Sequence, residues 1–72
     1  MGNIGKFIID EDGVLSKIIG VQGAYINDEN ITCYRTEYID GNIGLIPFSR
    51  ILDGRAEIKT AEEIRLKKKK MK

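Results

Sequence analysis

The chain has no histidine and no tryptophan, only one cysteine and only one proline. Without histidine the usual zinc-ligand sets cannot be assembled, and neither serine nor cysteine has its commonest general base. A single cysteine excludes an internal disulfide framework and leans towards a reducing compartment. Uninterrupted apolar stretches reach only two or three residues. That is far short of the ~20 needed for a membrane-spanning helix, and no signal-peptide core is expected. Met1-Gly2 is followed at position 6 by Lys6 rather than the Ser or Thr of a myristoylation motif. A cytoplasmic protein without a membrane span is therefore expected.

What is present is short and β-rich. Seventy-two residues bound the chain to one domain with a thin core. The net charge of +1 hides an uneven distribution. Residues 1–64 hold six basic against eleven acidic side chains, a net of −5, while residues 65–72 add six basic ones. An acidic body with a basic end bears on the choice of partner.

Gly5 to Asp10 reads as a first strand with Phe7 and Ile9 on one face. Asp12-Gly13, Asp40-Gly41 and Asp53-Gly54 are turn signals between apolar segments. Val14 to Ile26 reads as a long second strand that bends near Gly20–Gly23, since glycines within a strand mark bulges or corners. After a polar turn at residues 27–30, Ile31 to Ile39 forms the third strand. Its alternation is mixed, with Ile31, Cys33, Arg35, Glu37 and Ile39 on one parity and Tyr34 and Tyr38 on the other. Either a bulge or outward-packed tyrosines reconcile it. Ile43 to Ile46 supply a fourth strand and Ala56 to Lys59 a fifth.

The stretch Leu45 to Ile51 contains Pro47, which fixes φ and lacks an N–H, so the chain must turn there. A short strand leaving in a new direction is expected after Arg50. Thr60-Ala61-Glu62-Glu63 has the form of a capping box, predicting a short terminal helix. The fold expected is a small five-stranded antiparallel SH3-like barrel with a short C-terminal helix or basic tail. An Sm-like barrel is the alternative. The domain spans 1–66, with a frayed lysine-rich tail over 67–72. Phe7, Ile9, Ile19, Val21, Ile31, Ile46, Phe48 and Ile51 are its expected core.

The order of features resembles the PRC-barrel family. The matching pieces are Ile4-Gly5-Lys6, Glu11-Asp12-Gly13, Ile18 to Val21, and Leu45-Ile46-Pro47-Phe48-Ser49-Arg50-Ile51 followed by Asp53-Gly54. Together they cover roughly residues 4–66. Ser16 departs from the family's usual glycine, and the middle of the chain is shorter. The resemblance implies a protein-binding module without shared catalytic residues.

No catalytic set or cofactor motif emerges. Cys33 in mid-strand reads as a small core residue, Asp10 and Asp12 as a turn rather than a calcium loop, and Asn30-Ile31-Thr32 as a chance sequon. The expected function is a non-enzymatic adaptor that binds a protein partner, or a second copy of itself. Binding would use a sheet edge near strand one or five, or a face bearing Tyr25, Tyr34 and Tyr38. The alternative is an RNA-, ribosome- or DNA-associated barrel, with Arg65, Lys67, Lys68, Lys69 and Lys70 contacting phosphates and the tyrosines stacking on bases. An inhibitor of phage or mobile-element type is a third reading. No metal ligands are assigned.

Overall fold

The computed structural model describes the backbone of residues 2–70 and the side chains of residues 2–65. Five antiparallel strands form one open sheet: β1 (Phe7–Ile9), β2 (Leu15–Ile26), β3 (Glu29–Tyr38), β4 (Ile43–Pro47) and β5 (Glu57–Lys59). Two helices join them, α1 (Phe48–Leu52) between β4 and β5, and α2 (Ala61–Lys70) after β5. The strand order is β4-β3-β2-β1-β5. The edges are thus β4 and β5. β1 is not an edge as the sequence reading allowed, because its two sides are taken by β2 and β5.

The aspartate-glycine turns form for the reason their chemistry predicts. Gly13, Gly41 and Gly54 have φ of 80°, 89° and 83°, a region that costs glycine nothing. In each turn an aspartate closes the loop from its side chain. Asp10 Oδ1 accepts from the N–H groups of Asp12 and Val14, Asp40 Oδ1 from that of Asn42, and Asp53 Oδ1 from that of Arg55. The turn between β2 and β3 has two residues, Asn27 and Asp28, both with positive φ (51° and 62°). That conformation matches the right-handed twist of the strands on either side.

Directly opposed residues share a face of the sheet. Ile8 lies opposite Ser16 and Ile58, Ile18 opposite Thr36, and Tyr34 opposite Ile46. This inner face carries the core of Ile8, Ile18, Ile46 and Ala56, with Tyr34, Ile51 and Ile58 packed against it. The expected core is corrected in part. Ile46 is buried, but β1 turns Ile8 inward and leaves Phe7 and Ile9 half-buried on the other face.

In β2 the register shifts between Ile18 and Gly20, leaving Ile19 as a bulge. An inserted residue reverses the alternation. Ile18 points into the core and Ile19 is exposed, while Val21, opposite Tyr34, returns to the inner-face parity but lies exposed beyond the covered part of the sheet. The bulge lies in β2, so β3 alternates regularly from Tyr34: Tyr34, Thr36 and Tyr38 take the inner face, Arg35 and Glu37 the outer. Cys33 is buried opposite Pro47, as its reading as a small core residue anticipated.

Pro47 does turn the chain, but it leads into the helix α1 rather than into a strand. With φ −59° and ψ 144°, Pro47 is the residue that caps it. A proline needs no N–H partner at a helix start, and its fixed φ suits the position. Phe48 then stacks on Tyr34 with ring centroids 4.3 Å apart and planes tilted by 32°. Asn3 Nδ2 donates to Tyr34 Oη at 2.8 Å, tying the N-terminal turn to the same ring.

At the start of α2 the capping box is formed as predicted. The Thr60 N–H donates to Glu63 Oε1 at 2.9 Å, and the Glu63 N–H to Thr60 Oγ1 at 3.1 Å.

Candidate protein-binding groove

The end of the sheet where the β1–β2 and β3–β4 turns lie side by side holds an open groove of about 630 Å³. Its apolar lining comes from Phe7, Val14, Leu15, Tyr38 and Ile39. Val14, Leu15 and Ile39 are exposed, Ile39 completely. Ile39 follows the last residue of β3 and enters the turn, so no neighbouring strand covers it. The sequence reading put Ile39 on the parity of Ile31 and Cys33, but the strand ends before that parity could bury it.

The charges around the groove are mostly negative. Glu37 and Asp40 lie in its wall, with Lys17 opposite Glu37 across the strand pair. Asp10, Glu11 and Asp12 occupy the adjoining turn. Such a lining suits an apolar segment flanked by basic residues.

The three tyrosines share one parity of the sheet but are not exposed together. Tyr25 stands exposed near the tip of the β2–β3 ribbon. Tyr34 is half-buried between Phe48 and Asn3. The Tyr38 ring lies against Gly44, where an added Cβ would come within 2.6 Å of Tyr38 Cε2. Arg65 and Lys67 to Lys70 follow one another on α2. Arg65 is exposed, and the side chains of Lys67 to Lys70 lie outside the described residues.

On the inner face, Ser16 Oγ and Thr36 Oγ1 are buried without a hydrogen-bond partner. Among the described residues, the groups with shifted pKa values lie at the surface. A hydrogen bond from the Arg55 side chain, then one from its backbone N–H, holds the Asp53 carboxyl below its ordinary range, and the same contact raises Arg55. Hydrogen bonds to Thr60 lower Glu63. These shifts belong to a turn and a helix cap, away from the groove. Among the described residues no group of three or more His, Cys, Asp or Glu is placed to hold a metal ion. No helix among them is long and apolar enough to cross a membrane.

Comparison with protein-family models, curated proteins and solved structures finds no match to this chain.

Proposed function

We propose that the chain is a small SH3-like barrel that works as a non-enzymatic interaction module. It takes up an apolar, basic protein segment in the groove between the β1–β2 and β3–β4 turns. The observation that carries this reading is the cluster of Val14, Leu15 and Ile39, exposed together on a groove whose surroundings are acidic. Contiguous exposed apolar surface in so small a domain marks an interaction site more often than chance. Support for closure of the sheet comes from the link between its two edges. Only residues 48–56, the first five of them in α1, separate β4 from β5, and the bulge at Ile19 increases the local twist of β2.

Selection from a displayed peptide library tests the reading. Bound peptides are expected to share an apolar pair flanked by Lys or Arg, and to shift the amide resonances of Leu15, Glu37 and Ile39. Leu15→Asp with Ile39→Asp should abolish binding while the circular dichroism spectrum stays the same. Undiminished binding to that folded variant overturns the reading.

The nucleic-acid alternative would rest on Arg65 and Lys67 to Lys70 almost alone, since Tyr34 and Tyr38 are engaged inside the fold. RNA binding with a steep salt dependence that vanishes on deletion of 67–72 would favour it.

A further inference from the structure

The longest open backbone edge among the described residues belongs to β2, a strand central to the sheet. β1 covers only Leu15 to Lys17, and the N-terminal turn covers Ile18, whose N–H donates to Lys6 O at 2.8 Å and whose carbonyl accepts from Gly5. Beyond the bulge, β2 continues to Ile26 beside β3 alone.

The direction of each free group can be read from the two-residue turn. Residues flanking such a turn, here Ile26 and Glu29, exchange both backbone hydrogen bonds. Alternation back along β2 then directs Ala24 and Gln22 towards β3. Tyr25, Gly23 and Val21 present their N–H and C=O groups to the outside.

Beyond the bulge at Ile19, this edge has neither the charge nor the proline that protects strand edges. Ile18 to Ile26 contains no charged residue and no proline. The other edges are guarded: β4 ends in Pro47, and β5 has three residues with Glu57 and Lys59. Val21 and Tyr25, on one face, are 53% and 69% exposed, and a Cβ added at Gly23 would meet nothing within 4 Å.

We propose that this edge pairs with the same edge of a second copy of the chain, antiparallel, about a two-fold axis at Gly23. The segment is its own complement. With Gly23 opposite Gly23 of the second copy, Val21 falls opposite Tyr25 of the second copy and Tyr25 opposite Val21. All outward N–H and C=O groups then meet partners, each facing pair exchanging two bonds. On one face two β-branched–aromatic pairs form, a favourable cross-strand combination. The glycines at the centre bring no bulk between them. A surface without charge offers nothing for a charged partner to recognise, whereas a two-fold axis satisfies it entirely. The ribbon also needs such cover, because an isolated two-stranded hairpin is marginal in water.

Sedimentation equilibrium of the full chain over a range of concentrations should show a monomer–dimer equilibrium. Val21→Lys with Tyr25→Lys places like charges opposite each other at both pairs. It should sediment as a monomer with an unchanged circular dichroism spectrum. Val21→Glu with Tyr25→Lys should dimerise again, and its dimer should weaken with salt. Positions 21 and 25 lie too far apart along one strand to pair within a chain, so this rescue reports the register. Leu15→Asp with Ile39→Asp should leave the dimer intact, separating this surface from the groove. A wild-type chain that is monomeric throughout, a doubly lysine-substituted chain that still dimerises, or failure of the opposite-charge variant to dimerise overturns the proposal.

Discussion

The two ends of the β2–β3 pair are built from the same two strands, yet they live under different physics. At one end β1, β5, β4 and α1 gather around the pair, and Ile8, Ile18, Ile46 and Ala56 are sealed from water. At the other, residues 22–32 form a ribbon of two strands with Tyr25 and Ile26 exposed. The ladder between β2 and β3 runs along both halves, but apolar burial does not. Burial is the term that holds a small domain together. The covered end should therefore carry the global stability, and the ribbon should open locally.

The largest effect that could break this contrast is a truncation on either side of it. Ile18→Ala removes a side chain with no exposure and should cost about 2–5 kcal/mol, enough to unfold much of so small a domain. Tyr25→Ala, in dilute monomer, should stay within about 0.5 kcal/mol. Urea melts of the two variants test the pair, and equal losses would put the core in the wrong place.

A smaller effect sharpens the covered end. Thr36 is buried on the inner face with an unpartnered hydroxyl. Thr36→Val keeps the shape and removes the unpaired group, so it should raise stability by about 1 kcal/mol. Loss of stability on thermal melting would mean that the hydroxyl has a partner.

In the ribbon, Asp28 is held at φ 62°. Asp28→Gly relieves that conformation and creates the Asn-Gly pair favoured in such turns, for a gain of about 0.5 kcal/mol. The amides of Ala24 and Ile31, which face each other across the ladder, should exchange more slowly, while that of Ile8 changes little.

The smallest effect lies outside both ends, at the cap of α2. Glu63 has a lowered pKa through its hydrogen bonds with Thr60. A depressed carboxyl pKa stabilises the fold above its unfolded value, and the contribution disappears as pH falls through the folded one. The Thr60 amide resonance should move with that titration in acid, and Thr60→Ala should return the Glu63 pKa towards normal. An amide that ignores pH would deny the reciprocal cap.

The contrast also explains what could be read in advance. The turns at Gly13, Gly41 and Gly54 and the cap at Thr60 were legible because each depends on a few neighbouring residues with one favoured geometry. Five antiparallel strands could be inferred from those punctuations. The identity of the core could not. Phe7, Ile8 and Ile9 are all apolar, as are Ile18 and Ile19, so period-two alternation cannot choose between parities. The bulge at Ile19 reverses the choice halfway along β2. Pro47 announced a corner but not its sequel, since the same residue ends a strand and begins a helix. The groove was hidden for a related reason. Ile39 lies far from Val14 and Leu15 in sequence, and their exposure depends on where each strand stops.

The pairing of β1 with β5 sets Phe7 beside Lys59, so the polypeptide enters and leaves the domain at neighbouring points. A short linker from Thr60 to Lys6, with new ends cut between Asn27 and Asp28, would give a circular permutant that keeps every ladder of the sheet. Its cut would fall at the ribbon tip, where little apolar surface is at stake. The same adjacency lets the domain be spliced into a surface loop of another protein without forcing that loop apart.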